Sequence, residues 1–275
     1  MDHWKLIPEI IGRNARLRIA AMQTVDAVDQ GRHFVVEGES GSGRRLLARS
    51  AWCHRSPGAR SIFTLDCRLF RSEGAEALLF GEPSSGSSAG IRLGKLTLPA
   101  GGGLLLLHAE CLSHKVQGRL ASAFGRFPGA PRREGIQLML TCAPQFDSDL
   151  HPDLAALLLR VRVPALRERV EDIGALVEAF LHNASPFESL RCSQALIDKF
   201  CGYDWPGNIT ELRSALRHLL LEPHSGLLDV RHLAGLICRS RTCFALLQGP
   251  TGYGLSPAER DFSPIDSKPG GWSLQ

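Results

Sequence analysis

Apolar positions along this chain follow two regimes, and the change comes near Pro164. Over residues 15–29, Leu17, Ala20, Ala21, Val25 and Val28 recur at helical spacing and share one face. Residues 33–36 form a short apolar run, which predicts a buried strand. After a glycine-rich turn, Leu46, Leu47 and Ala51 predict a helix over about 43–53. Further strands are expected at 61–65, at Leu104-Leu105-Leu106-Leu107, at 137–141 and at 161–163, with a helix over 116–124. Residues 82–90, rich in Ser and Gly, read as an exposed loop. Alternation of strand and helix predicts an α/β fold with a parallel sheet covered by helices on both faces.

Beyond Pro164 the pattern predicts helices only. One spans about 170–183, and a second starts at the N-cap Ser193 and carries Leu196, Ile197 and Phe200. A third starts near Asn208 after the break Trp205-Pro206-Gly207 and carries Leu212, Leu216, Leu219 and Leu220. The expected organisation is an α/β domain over 1–165, a small helical domain over 166–240 and a disordered tail over 241–275.

Composition narrows the class. Hydrophobic residues make up 44% and charged residues 22% of the 275, as in a soluble chain with a packed core. The net charge of +4 permits an acidic partner without requiring one. No apolar run reaches membrane-spanning length, and Met1-Asp2-His3-Trp4-Lys5 lacks a signal-peptide pattern, so a cytoplasmic location is expected. The eight cysteines include no C-x-x-C pair, which argues against zinc and for reduced thiols. His108 and His114 lack the spacing that puts two ligands on one helical face, and no metal site is expected there.

The chemistry concentrates in Gly38-Glu39-Ser40-Gly41-Ser42-Gly43-Arg44-Arg45. A strand, a glycine-rich turn and a helix start make the layout of a P-loop, G-x-x-x-x-G-K-[ST], with Arg44 at the lysine position. Such a loop turns backbone N–H groups toward phosphate oxygens, and the helix terminus adds positive potential. Arginine keeps the charge but replaces a compact ammonium by a longer planar head. Two readings stand: a loop that still binds nucleotide, and a structural turn inherited without a ligand.

The order of motifs resembles the central AAA+ domain of bacterial sigma-54-dependent, NtrC-like transcriptional activators over about residues 9–222. Ile10-Ile11-Gly12 is similar to the segment that flanks the adenine in that family, and residues 38–43 are similar to its GESGTG. Leu79-Phe80-Gly81 matches LFG, and Ala100-Gly101-Gly102-Gly103-Leu104 resembles ADGGTL. Residues 164–173 resemble PPLRERREDI, and Tyr203-Asp204-Trp205-Pro206-Gly207-Asn208 resembles the lid signature YxWPGN.

That resemblance implies a ring-forming ATPase that remodels sigma-54 RNA polymerase. It places ATP against Ile11, Gly12 and residues Gly38, Glu39, Ser40, Gly41, Ser42, Gly43, Arg44 and Arg45. It also implies that catalysis is degraded. The Walker B aspartate and glutamate positions fall on His108 and Ala109, so neither a magnesium ligand nor a water-activating carboxylate stands there. Glu110, one residue further, is expected to point away from the site on a regular strand, and a one-residue shift of register is the alternative that would bring it in. The sensor asparagine position falls on Ala143, the finger arginines on His151 and Leu157, the lid arginine on Thr210, and the coupling asparagine on Asp66. Arg160 and Arg162 are expected on the following strand. Ser84 to Gly90 replaces the polymerase-contacting loop and lacks its aromatic tip. The expectation is therefore a regulator without hydrolysis and without magnesium, acting through homologous AAA+ subunits in homo- or hetero-oligomers, with sigma-54 RNA polymerase as a further partner. An active ATPase and a decayed family member are the alternatives. After Pro223 at most one amphipathic helix is predicted, with Val230, Leu233, Leu236 and Ile237, which is too little for a helix-turn-helix. Charge clusters at Arg167-Glu168-Arg169 and Glu171-Asp172 read as a solvated junction, and Trp205 to Asn208 as a helix start with a packed aromatic.

Overall fold

Each short apolar strand is followed by a crossover too long for a hairpin, which leaves parallel pairing as the way to bury it. The computed structural model describes residues 10–55, 61–69, 72–80, 102–125, 136–144, 150–184, 190–221 and 226–234. Strands β1 (Phe34–Glu37), β2 (Ile62–Asp66), β3 (Gly103–Leu107), β4 (Gln137–Cys142) and β5 (Leu159–Arg162) form one sheet in the order β2-β3-β4-β1-β5. All pairs are parallel, with Phe34 opposite Met139 and Leu104 opposite Leu138.

The leucine run in β3 shows how the sheet is buried. Side chains alternate across a strand. Leu104 and Leu106 pack with Val35, Leu138 and Leu140 under α3 (Ser72–Phe80), α4 (His114–Phe124) and α5 (Pro152–Leu157). Leu105 and Leu107 pack with Phe34, Val36 and Met139 under α1 (Ala15–Asp29) and α2 (Arg44–Arg55). A strand apolar at every position is thus shared between two cores.

The second part is built from α6 (Ile173–Ala184), α7 (Gln194–Cys201), α8 (Asn208–Leu219) and α9 (Val230–Ala234) around Leu176, Leu196, Phe200, Trp205, Leu212 and Leu216. Ser193 caps α7 as expected, accepting from Leu196 N at 3.3 Å. The expectation of helices alone is corrected here. Arg191–Cys192 (β6) and Leu227–Leu228 (β7) pair in parallel. Two-residue strands carry no periodicity, so the pattern had nothing to reveal. Helices α3 and α5 are also additions, since each is too short for a sustained repeat.

The loop expected at 82–90, the tail and residues 235–240 lie outside the described residues. Among the described residues no helix is long and apolar enough to cross a membrane, and no group of His, Cys, Asp or Glu is arranged to hold a metal.

Candidate nucleotide site at the lid junction

Because β4 lies between β1 and β3, the loops leaving these three strands meet at the carboxyl edge of the sheet. That edge is where open parallel sheets receive ligands. The turn from β1 to α2 holds residues 38–43, with φ of +76° at Gly41 and +107° at Gly43. Both values favour glycine, which meets no Cβ penalty in the left-handed region.

The carbonyls of this loop are turned toward the second part of the molecule and are held there. Asn208 Nδ2 donates to Ser40 O at 3.0 Å, Ile209 N donates to Gly41 O at 3.1 Å, and Arg169 Nη2 donates to Ser42 O at 2.6 Å. Glu39 joins the same contact. Arg167 grips both of its carboxylate oxygens, with Nη1 to Oε2 at 2.8 Å, and Asn208 Nδ2 donates to Oε2 at 3.1 Å. The Arg167 guanidinium, then the Asn208 amide, hold the Glu39 carboxyl below the usual range. Asn208 Oδ1 also accepts from Leu166 N at 2.7 Å.

One sequence expectation is corrected by this arrangement. Arg169 and Asp172 do not belong to a solvated cluster, since they are 2% and 0% exposed. Their charge is placed inside because each serves a specific backbone group. Asp172 Oδ1 accepts from Arg13 N and from Asn14 N, the latter at 3.2 Å, and so ties the chain before α1 to the chain before α6. Burial pushes the Arg169 guanidinium down, with Asp172 opposing the shift. Asn208 starts α8 as expected, and it also joins the loop to residue 166.

Close approach fixes Gly12 and Gly41 at this junction. A β-carbon at Gly12 would lie 2.5 Å from Asp172 Oδ2, and one at Gly41 would lie 2.3 Å from Gly207 O. Gly41→Ala is expected to cost about 1–3 kcal/mol, by forcing the loop off Gly207 and straining the left-handed residue. A lower midpoint in urea unfolding checks it. Ile11 packs against the core of the second part. So Ile11, Gly12 and residues 38–44 are brought together at one junction, whereas Arg45 is exposed on α2.

Arg44 is 7% exposed, and its Nη1 has no hydrogen-bond partner among the described residues. Ser42 Oγ, on a residue 1% exposed, is also unpartnered. Burying an unpaired cation is costly, and an anion at the loop removes that cost. Burial pushes the Arg44 guanidinium down, and the Glu110 charge opposes this. The orphaned donors, the glycine turn and the start of a 12-residue helix fit a phosphate group.

The positions that supply magnesium ligands in a P-loop site carry no oxygen ligand here. β3 stops at Leu107, and His108 takes a left-handed φ of 58°. His108 N donates to Thr141 Oγ1 at 3.2 Å, while Ala109 is buried in a 3-10 turn. Arg45 holds the position where the motif carries a hydroxyl for the metal. Glu110 corrects a further expectation. The turn at His108 takes the chain out of strand geometry, so Glu110 does not point away. Its Oε2 accepts from Ala143 N at 3.3 Å, and its Oε1 lies 3.2 Å from His108 Nδ1. Only a strand-based count of alternation hid this residue.

The remaining positions are engaged locally. Asp66 accepts from Arg68 Nη2 at 2.7 Å. His151 caps α5, accepting from Asp153 N at 3.3 Å. Arg160 and Arg162 lie on β5 as expected, and Arg160 Nη1 is 3.6 Å from Glu37 Oε1. Thr210 is exposed.

A family profile described as the sigma-54 interaction domain matches residues 10–126, and one described as the AAA+ ATPase lid domain matches residues 167–242. Regulatory protein LuxO of Vibrio parahaemolyticus is 26% identical over 221 residues, covering 72% of this chain and 48% of LuxO. The anaerobic nitric oxide reductase transcription regulator NorR of Vibrio vulnificus is 30% identical over 230 residues, covering 76% of this chain and 44% of NorR. The chain thus spans about half the length of the curated relatives it matches. NtrX of Brucella abortus, solved in complex with ATP, superposes with a TM-score of 0.66 at 21% identity, over 81% of this chain and 53% of NtrX. Fold and profiles agree: the chain carries a sigma-54 interaction domain followed by an AAA+ lid domain, on the P-loop AAA+ architecture.

Proposed function

We propose that this protein is a cytoplasmic transcription regulator that binds a nucleotide at residues 11–12 and 38–45 and does not hydrolyse it. It acts through protein partners, by joining rings of AAA+ subunits that engage sigma-54 RNA polymerase. The observation that carries the binding half is the buried, unpartnered Arg44 Nη1 beneath an intact glycine turn. The nucleotide's phosphates accept from the loop N–H groups and from Arg44, and its base lies toward Ile11 and Gly12, as the resemblance implies. NtrX, similar in fold, has been crystallised with ATP and with ADP.

The half that denies hydrolysis rests on the strand ends. Phosphoryl transfer is catalysed almost entirely by positioning and by charge placed at the γ-phosphate. Here the two Walker B positions hold an imidazole and a methyl group, and the sensor position holds Ala143, whose N–H is already given to Glu110. Without a cation at the finger positions a factor of about 10³–10⁵ in rate is lost.

A fluorescent-nucleotide titration beside a phosphate-release assay tests both halves. Saturable binding without turnover is the expected result. Arg44→Ala is expected to weaken nucleotide binding at least about tenfold, since a charge-assisted contact to phosphate contributes roughly 1.5–3 kcal/mol. An unchanged affinity in that variant would remove Arg44 from the site. Magnesium-dependent phosphate release that Gly43→Val abolishes would favour an active ATPase instead.

A further inference from the structure

Arg44 is one bond longer than the lysine it replaces, and its stem runs close under the loop. A β-carbon at Gly38 would lie 3.3 Å from Arg44 Cγ. In a P-loop the lysine ammonium reaches the junction of the second and third phosphates. A longer side chain on the same path carries its head past that junction. Arg44 is buried at the start of α2, where the loop leaves β1 beside the end of β4, and the charges of Glu110 and Cys142 act on its guanidinium.

Glu110, just past the end of β3, stands at the same edge: its Oε2 accepts from Ala143 N at 3.3 Å and its Oε1 lies 3.2 Å from His108 Nδ1, while the neighbouring Cys142 O accepts from Gly38 N at the foot of the loop at 3.3 Å. The bond from Ala143 N keeps this carboxylate at the edge. In a working site magnesium neutralises the charge gathered between the second and third phosphates. His108, Ala109 and Arg45 occupy the positions that supply its ligands, and none of the three offers the carboxylate or hydroxyl oxygen such an ion takes. A third phosphate would therefore bring its charge against Glu110 with no metal between them, and it would compete with the Arg44 head for the same space. A second phosphate meets only the loop N–H groups and the guanidinium.

We propose that the site selects a nucleoside diphosphate over a triphosphate without needing a divalent ion, and that Glu110 is the residue that sets this preference. The proposal rests on the nucleotide-binding reading above. It makes the protein a reader of the diphosphate state, so that its contribution to a ring does not depend on a hydrolytic cycle of its own.

The experiment is a titration of the full chain with fluorescent ADP and ATP analogues, each with and without magnesium, on wild type and on Glu110→Gln. Glutamine removes the charge and keeps an oxygen that accepts from Ala143 N. The wild type is expected to bind ADP about tenfold more tightly than ATP, with magnesium changing neither affinity by more than about twofold. In Glu110→Gln the ATP affinity is expected to rise about tenfold while that for ADP stays within about twofold. Equal or tighter binding of ATP by the wild type overturns the proposal, as does tightening of ATP by magnesium. A Glu110→Gln variant that shifts both nucleotides equally removes Glu110 from the preference. The wild-type comparison stands even if the variant does not fold. Binding without preference sinks this inference alone, whereas no binding of either nucleotide sinks the reading on which it rests as well.

Discussion

Asp172→Ala is expected to destabilise the protein by about 3–5 kcal/mol, since it removes two hydrogen bonds to a charged group at about 1.5–3 kcal/mol each. Asp172 is fully buried, and its Oδ1 accepts from two successive backbone N–H groups, Arg13 and Asn14. Truncation strands both donors. It also leaves the buried Arg169 without the opposing charge of Asp172. The loss spreads to the loop, because Arg169 Nη2 donates to Ser42 O at 2.6 Å. Asn14 would feel it too, since its side chain caps α1, accepting from Arg16 N at 3.0 Å, and donates to Glu168 O at 3.2 Å. Urea unfolding read by circular dichroism gives the size. Asp172→Asn separates the causes, as the amide still accepts one bond but carries no charge. A loss under about 1 kcal/mol for the alanine variant would show that the junction relaxes and that the carboxylate is not what closes it.

Trp205→Ala is expected to cost about 3–5 kcal/mol, in the range for removing a large aromatic from a core. The indole is 0% exposed and sits edge-on to Phe200 and Tyr203, with ring centroids 5.6 Å and 5.0 Å away. Its Nε1 donates to Phe200 O at 2.7 Å. The backbone pays for this placement with a φ of 49° at Trp205, a conformation that bulky residues rarely adopt. Trp205→Phe keeps most of the packing and removes one of the donors to Phe200 O, which keeps Tyr203 N at 3.4 Å, for an expected loss of about 0.5–1.5 kcal/mol. Because Asn208 follows three residues later and holds Ser40 O, the alanine variant is also expected to weaken nucleotide binding in the titration. A variant that unfolds as the wild type does would show that the second part is held elsewhere.

Much of the fold was legible because burial leaves a periodic trace. The α1 spacing, the apolar runs of β1, β3 and β4, and the Ser193 cap each reappear in the structure at the expected residues or within one or two of them. What escaped had no trace to leave. β6 and β7 are two residues each, and α5 is a six-residue helix set by a proline and a His151 cap. The charge run Arg167 to Asp172 was misread for a different reason. A local count of polar residues predicts solvent, but Arg169 and Asp172 find their partners near residues 42 and 13, far away in the chain.

The candidate site divides in the same way. The linear order of residues determined the glycine turn, the replacement of lysine by Arg44 and the absence of carboxylates at positions 108 and 109, since these are matters of identity and spacing. Only the folded chain decided that Arg44 is buried with an unpartnered Nη1 while Arg45 faces solvent, and that Glu110 turns back toward Ala143. Those outcomes depend on a left-handed residue at 108 and on which strands end beside each other, and neither backbone sign nor strand order is written in any local pattern.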